Sequence, residues 1–212
     1  MLAAGSYDTV CHEHLEYYAL TSLVWMADRV GFSIVEVSFN AVNGGSFAVT
    51  ATKAAPGEAR HAPVVAEILD AERKAGLGSL VPYGRFAADA ARHKLELRAT
   101  LSSLKTDGKR VLGLGASTKG NVILQYCEIG TELLACIGEV NDDKIGRVTP
   151  GTDIPIVSED ELLARSPDVL LVLPWHFRHD IVQRSARLFD RGIKLLFPLP
   201  KIEFVPAEAE IR

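Results

Sequence analysis

The sequence predicts an α/β protein with a Rossmann-like parallel sheet in its C-terminal half, preceded by a helix, a β-hairpin and a helical linker. First, residues 111–121 run from four mostly apolar residues through a glycine-rich turn into a segment with helical apolar spacing. Second, strand-like and helical segments alternate from there to residue 197, which is typical of a parallel sheet. Third, apolar residues alternate on both sides of a turn cluster at residues 40–45, which indicates an antiparallel hairpin.

The first half of the chain contains the helices and the hairpin. In chain order we predict a β-like piece at 7–10, a helix at 20–30, strands at 32–39 and 46–53, a break at 54–57, and helices at 63–74 and 83–105. His93, on the last of these helices, is interpreted as a core-edge histidine. Two strands alone are marginally stable in water, so the hairpin needs a sheet to join. We place a domain boundary near Asp107, which gives domains 1–106 and 107–212.

The second half follows a strand–helix alternation. The predicted strands lie at 111–114, 133–140, 154–157, 168–173 and 193–197. Ser158 and Glu161 have the spacing of a capping box, which predicts a helix that ends near Ala164. Ligands of parallel sheets bind outside the carboxyl ends of the strands. The segments expected there are 117–119, 139–142, 175–176 and the loop after Phe197.

Composition and charge exclude several function classes. The 212 residues are 48% hydrophobic and 24% charged, which is ordinary for a soluble globular protein. A net charge of −4 without a Lys/Arg run argues against a nucleic-acid surface. No apolar stretch is long enough for a membrane span, and the N-terminus does not look like a signal peptide. Three cysteines without C-x-x-C spacing are interpreted as reduced thiols in a cytoplasmic protein.

The glycine-rich turn is the main candidate for binding an anion. Gly113 and Gly115 would let the backbone turn sharply and approach a ligand, while the residues of the following helical turn offer hydroxyls, a cation and an amide. The residues of this candidate phosphate site are Gly113, Gly115, Ser117, Thr118, Lys119, Gly120 and Asn121. The turn is neither a P-loop nor a complete G-x-G-x-x-G, because Thr118 occupies the third glycine's place. A strand-to-helix turn without any ligand stays open as the alternative.

Acidic and imidazole side chains mark two further candidate positions. Glu139 follows Gly115 by 24 residues, where an acid of a dinucleotide fold would bind a ribose hydroxyl. Trp175 and His176 follow the fourth strand of the predicted sheet. His176 and His179 stand three residues apart at a helix start, and we interpret both as simply exposed, with ligand contact as the alternative.

The densest cluster of ionisable and aromatic side chains lies at residues 11–18. His12 and His14 do not form an H-E-x-x-H pair, because position 16 is Glu16, and no third ligand is near in sequence, so we expect no metal. Histidine titrates near neutral pH, and an adjacent carboxylate such as Glu13 can orient it, which favours acid–base chemistry. A polar loop capping the next helix is the alternative.

Five segments in chain order resemble the S-adenosylmethionine-dependent C-methyltransferases that act on nucleotide-linked deoxysugars. These segments are Tyr7–Tyr18, Asn43–Ser46, Gly113–Asn121, Thr149–Thr152 and Leu173–Phe177. The family has an N-terminal zinc-binding part, a central S-adenosylmethionine fold and a C-terminal Rossmann-like domain that helps hold the nucleotide sugar. This chain resembles only the end of the central part and the C-terminal domain, so the resemblance implies the cofactor but not its site here.

The resemblance also implies a mechanism. In the family a 4-keto sugar is deprotonated at the neighbouring carbon, and the enolate attacks the methyl group without a metal. By position in the motif, His14 resembles the proposed base and Glu13 its catalytic partner, with His12 beside them. Cys11 stands where characterised members have a tyrosine. The implied substrate contacts are those of the glycine-rich turn together with Glu139, Trp175 and His176.

Two other hypotheses are compatible with the residues. In the first, the chain is a free-standing NAD(P)-binding module that works as a reductase or a regulator. In the second, it is a non-catalytic assembly protein whose hairpin extends a sheet in another protomer. We favour the substrate-binding part of a sugar C-methyltransferase, completed by a partner chain, by a homo-oligomer or by residues preceding Met1.

Overall fold

The computed structural model describes residues 1–40, 45–55 and 60–206. The chain folds into two compact units, one of residues 1–2 and 12–88 and the other of residues 3–11 and 89 onwards. Helix α3 (Val81–Thr106) crosses this division, so its second part belongs to the unit that holds the large sheet. The predicted boundary near Asp107 stays a prediction. In the described residues no helix is both long and apolar enough to cross a membrane.

The unit of residues 12–88 contains the predicted hairpin, the first two predicted helices and the first part of α3. Its elements are α1 (Leu20–Val30), β1 (Phe32–Asn40), β2 (Ser46–Lys53) and α2 (Pro63–Lys74). The strands pair antiparallel from Phe32 opposite Lys53 to Asn40 opposite Ser46, as predicted. Residues 41–44, which belong to the predicted turn cluster and in part to the Asn43–Ser46 segment, lie outside the described residues. Residues 56–57 of the predicted break also lie outside them.

A small core holds this unit together. Leu20, Ile34 and Val65 are buried, and apolar residues of both strands and both helices pack around them. Helix α1 ends at Gly31, whose φ of 74° is the left-handed conformation that glycine adopts without strain. At the other end Ala19 offers no capping side chain, and Glu72 of α2 accepts hydrogen bonds from the backbone N–H groups of Leu20 and Thr21.

The second unit is built on a six-stranded sheet. Its strands are β3 (Val111–Leu114), β4 (Ile137–Glu139), β5 (Ile156–Ser158), β6 (Val169–Val172), β7 (Lys194–Phe197) and β8 (Glu203–Val205). The order is β5-β4-β3-β6-β7-β8, and every neighbouring pair is parallel except β7 with β8. The predicted Rossmann-like α/β arrangement is confirmed.

Helices connect these strands. They are α4 (Thr118–Tyr126), α5 (Glu159–Ala164), α6 (Arg178–Arg184) and α7 (Ala186–Phe189). The predicted capping box is confirmed in part, since the Oγ of Ser158 accepts a hydrogen bond from the backbone N–H of Glu161 at 3.1 Å.

Two local predictions are corrected, and one strand was missed. Residues 133–136 precede β4, because the N–H groups of Leu133 and Leu134 bond back to the carbonyl of Gly130 in a turn. The antiparallel edge strand β8 was not predicted. The predicted β-like piece at 7–10 is a 3-10 helix, Tyr7–Thr9, closed by backbone bonds from Thr9 to Ser6 and from Val10 to Tyr7.

A buried hydrogen-bond chain attaches this 3-10 helix to other parts of the second unit. The Nε2 of His93 lies 2.6 Å from the carbonyl oxygen of Pro198, which can only accept, so Nε2 carries the hydrogen. Burial lowers the pKa of His93, although the Pro198 carbonyl and nearby acidic groups oppose that shift, so the ring is neutral and Nδ1 accepts from the hydroxyl of Tyr7 at 3.0 Å. Tyr7 in turn lies 3.2 Å from the Sγ of Cys127. His93 is thus buried, with partners that the sequence did not show.

Two glycines of the glycine-rich stretch are required by packing. A Cβ on Gly113 would lie 2.6 Å from a side-chain carbon of Ile137 in β4. A Cβ on Gly120 would lie 2.5 Å from the Cβ of Leu173, which follows β6. Helix α4 therefore approaches β6 as closely as it does because residue 120 has no side chain.

We expect Gly120→Ala to destabilise the protein by about 1–3 kcal/mol, because the added methyl group meets atoms fixed to the backbone. Gly84→Ala is the matched control, since a Cβ on Gly84 in α3 meets nothing within 4 Å and alanine favours helices. Urea denaturation of both variants measures the difference. Equal stabilities of the two variants would contradict the packing argument.

His93 predicts a pH dependence of stability. Because its pKa is lowered from 6.5 in the folded protein, the unfolded chain binds more protons below pH 6.5. The free energy of unfolding should therefore be level above pH 6.5 and fall as the pH is lowered, by up to about 1.4 kcal/mol per pH unit from this residue. His93→Gln should remove that part of the slope in denaturation curves between pH 5 and 7. An unchanged slope would show that His93 is not held neutral.

Candidate functional site

The carboxyl ends of β3 and β6 are where the connections of the sheet diverge. β3 leads through α4 to β4 on one side, and β6 leads through α6 and α7 to β7 on the other. Such a divergence leaves a crevice outside the strand ends, which is the usual ligand position in open α/β sheets. We call the loops at this point, residues 115–117 and 173–177, the switch-point loops.

The first switch-point loop contains the predicted phosphate-binding turn. Gly115 has a φ of 80°, and a Cβ there would lie 2.7 Å from the ring of Pro174, so the two loops touch. Ser117 is the N-cap of α4, and its Oγ accepts from the N–H of Gly120 at 3.0 Å. Thr118 is exposed and Lys119 half-buried in the first turn of α4. The N-terminus of α4 therefore opens at the carboxyl end of β3.

Glu139 and Lys144 hold this loop in place. One oxygen of Glu139 accepts from the N–H of Ala116, and the other accepts from the N–H groups of Val140 and Asn141. Lys144 donates to the carbonyl of Ala116 at 2.8 Å. Burial would raise the pKa of Glu139, but these backbone bonds and Lys144 outweigh it and lower the pKa. Oε1 accepts two of these bonds and Oε2 accepts one, so Oε2 keeps a lone pair, and the predicted ribose contact stays a prediction.

The 3-10 helix Tyr7–Thr9 brings an unexpected carboxylate to the second loop. Asp8 is fully buried, and its Oδ2 accepts from Nε1 of Trp175 at 2.8 Å and from Nε2 of His176 at 3.1 Å. The side chain of His176 is only 10% exposed. Our interpretation of His176 as exposed is therefore wrong, because Asp8 draws the ring inward; His179 is exposed as expected.

Several polar atoms around this pair have no hydrogen-bond partner among the described residues. They are Oδ1 of Asp8, Nδ1 of His176, Oδ1 of Asn121 and Oγ of Ser6. Asn121 lies on α4, against which the 3-10 helix packs. Burial lowers the pKa of Lys119, and electrostatic interaction with Asp8 and Cys11 opposes that shift. Buried polar atoms without partners are rare in folded proteins and indicate a place for a ligand or water.

The predicted catalytic histidines lie in the other compact unit. His12 and Glu13 are exposed in a turn that follows Cys11, and His14 is half-buried with its ring edge-on to Tyr17 at 6.4 Å. Their assignment as catalytic residues rests on the motif. Within the described ranges, no three or more His, Cys, Asp or Glu side chains lie together in a way that could hold a metal ion.

Sequence reasoning missed Asp8 as a site residue. The one sequence feature that pointed to Asp8 was its position inside the Tyr7–Tyr18 segment. We interpreted residues 7–10 as a β-like piece and named only the histidines and Glu13 of that segment as catalytic candidates. The structure brings together Lys119, Asn121, Trp175 and His176 of the predicted site within one unit, and adds Asp8 to them.

Comparison with known proteins agrees with the motif pattern. The family model described as the C-methyltransferase C-terminal domain matches residues 41–200. A curated relative, C-methyltransferase NovU of Streptomyces niveus, is 32% identical over 213 residues, an alignment that covers 100% of this chain and 50% of the relative. The chain spans about half the length of that relative. On this basis, the chain belongs to the C-methyltransferase C-terminal domain family.

Proposed function

We propose that this chain is the substrate-holding C-terminal part of an S-adenosylmethionine-dependent C-methyltransferase that acts on a nucleotide-linked keto-deoxysugar. The observation that carries the proposal is the pair of switch-point loops, where the N-terminus of α4, with Lys119 in its first turn, accompanies buried polar atoms that have no partner among the described residues. An anionic, hydroxyl-rich molecule fits that combination of groups. Family membership and the name of the relative support methyl transfer to carbon.

The α4 end of the crevice suits the diphosphate. Backbone N–H groups and the partial positive charge of a helix N-terminus attract phosphate oxygens. Ser117 accepts a bond from Gly120 and can still donate its own hydroxyl hydrogen to a phosphate. Thr118 and Lys119 add a second hydroxyl and a cation at the same turn. Gly113, Gly115 and Gly120 allow the close approach of the strand, loop and helix that forms this end.

The proposed chemistry is base-assisted formation of an enolate. His14 takes the proton from the carbon next to the sugar ketone, Glu13 orients it, and His12 stands beside the pair. The enolate carbon would then take the methyl group, so that the new carbon–carbon bond forms while the methyl–sulfur bond of the sulfonium donor breaks and the neutral thioether leaves. These roles rest on the resemblance of residues 11–18 to the family motif, in which Cys11 replaces a tyrosine.

S-adenosylmethionine would supply the methyl group in this reaction. Among the described residues, Glu139 is the acid in position to bind an adenosine ribose, and its three bonds from backbone N–H groups give it the structural role of holding the first switch-point loop. We therefore assign no step of the cofactor's binding to this chain. The same observation makes a free-standing NAD(P) module a poorer account of the turn.

The hairpin is the proposed attachment surface for the rest of the sheet. In the described residues β1 and β2 pair only with each other, and Val35 and Phe39 of β1 are exposed. A partner chain, a second copy or preceding residues of a longer protein would add strands here. The three cysteines are free, and we propose a cytoplasmic location, where thiols stay reduced.

A thermal-shift panel tests substrate binding. We expect dTDP-glucose or UDP-glucose to raise the melting temperature by about 5–10 °C when its concentration is about a hundredfold above its dissociation constant. The reason is that a ligand that binds only the folded state stabilises that state. S-adenosylmethionine and NAD(P)(H) should leave it unchanged. Lys119→Met should weaken the shift, and His179→Gln, which changes an exposed histidine of the same unit, should not. A shift with NAD(P) alone would reject the proposal.

Solvent exchange tests the base independently of the cofactor. In D₂O, a 4-keto sugar nucleotide bound to the protein should exchange the hydrogen on the carbon next to its ketone, observed by proton NMR. His14→Gln should slow this exchange by about 100-fold or more, the usual contribution of a general base. His179→Gln should exchange at the wild-type rate, and equal rates for both variants would remove His14 from the mechanism.

A further inference from the structure

The buried groups at the second switch-point loop share one chemical property, which is that they accept hydrogen bonds. Asp8 has a carboxylate oxygen without a partner, and His176 has its Nδ1 without a partner, while each is at most 10% exposed. The amide oxygen of Asn121 on the adjoining helix is also buried without a partner. A buried acceptor without a donor costs free energy, so these atoms favour a molecule that brings donors.

Asp8 determines which nitrogen of His176 accepts. The Nε2 of His176 faces Oδ2 of Asp8 at 3.1 Å, and a carboxylate oxygen accepts, so Nε2 carries the hydrogen. In the neutral imidazole this leaves Nδ1 with a lone pair. The indole N–H of Trp175 donates to the same carboxylate oxygen at 2.8 Å, which holds the carboxylate in a fixed orientation. Asp8 thus presents two acceptors, its own Oδ1 and, through the imidazole ring, Nδ1.

We propose that Asp8 and His176 form a hydroxyl-recognition subsite that binds the sugar ring of the nucleotide sugar and not its phosphates. A phosphate oxygen is itself an acceptor and is repelled by a carboxylate, whereas a sugar hydroxyl donates to Oδ1 of Asp8 or to Nδ1 of His176. The crevice is thereby divided. The diphosphate lies at the α4 end near Lys119, and the sugar lies at the end formed by residues 8 and 176. Asp8 is both a ligand-binding residue and the positioning residue for His176.

This subsite rests on the proposed function, so its test separates the sugar from the nucleotide. Isothermal titration calorimetry of the chain compares dTDP with dTDP-glucose, and UDP with UDP-glucose. The wild-type protein should bind at least one sugar nucleotide more tightly than its diphosphate. Asp8→Asn should lower the affinity for the sugar nucleotide by about tenfold or more, because the sugar loses a hydrogen bond to a charged acceptor. The affinity for the diphosphate should fall by less than about twofold.

Two variants control for damage to the fold and for the other end of the crevice. Tyr7→Phe, in the same 3-10 helix, loses its bonds to His93 and Cys127 without changing an acceptor of the subsite, so both affinities should stay within about twofold. Lys119→Met should lower the affinities for the diphosphate and for the sugar nucleotide by the same factor. If Asp8→Asn does not fold, His176→Gln gives the second measurement, with the same expected loss for the sugar nucleotide only.

A ¹⁵N NMR spectrum of labelled histidine tests the positioning role. His176 should show the form protonated on Nε2, and its Nδ1 resonance should shift with dTDP-glucose but not with dTDP. In Asp8→Ala the fixed form should be lost, whereas Asp8→Asn should keep it, because its amide oxygen still accepts from Nε2. A His176 protonated on Nδ1, or equal losses of diphosphate and sugar nucleotide in Asp8→Asn, would overturn the subsite while leaving the proposed function intact. Absence of binding by either ligand class in the wild-type protein would overturn both.

Discussion

The structure of the sheet-containing unit depends on the burial of one carboxylate. Removing Asp8 from water carries a penalty of several kcal/mol, which is offset only if hydrogen-bond donors surround it. Trp175 and His176 supply those donors from the loop after β6, and the neighbouring Tyr7 is bonded through its hydroxyl to His93 of α3. Residues 3–11 therefore belong to the same compact unit as a sheet that begins a hundred residues later in the chain.

Around this contact, the polar groups divide into those that hold the backbone and those that keep an acceptor atom without a partner among the described residues. Glu139, Lys144 and Ser117 are engaged with backbone groups of the first switch-point loop and keep its glycine turn in one conformation. The acceptors of Asp8 and His176 are engaged on one side only. A rigid loop beside incompletely bonded side chains is the arrangement that binding sites require, because the backbone does not have to reorganise when a ligand arrives.

Elements with strong local signals could be predicted to the residue. Helices α1 and α2 match their predicted bounds because their apolar spacing is regular, Gly31 ends the first and Pro63 begins the second. The 3-10 helix at Tyr7 was mistaken for a strand because Tyr7, Thr9 and the following Val10 are residue types that strands prefer. Trp175 and Asp8, which share a hydrogen bond, are 167 positions apart in the sequence, so no local sequence pattern could predict that bond. The positions of Asp8 and His176 relative to each other could therefore be seen only in the folded structure.

The antiparallel strand β8 has a consequence for how the sheet meets other molecules. β7, beside it, is an almost wholly buried run of Lys194-Leu195-Leu196-Phe197, the kind of segment that recruits further strands when its edge is open. β8 occupies that edge with three half-buried residues, and Glu203, paired with Arg178 at 3.3 Å, places charge along it. A strand of three residues thus protects the apolar interior of the sheet from self-association, and its short, charged edge discourages a second copy from adding to this side.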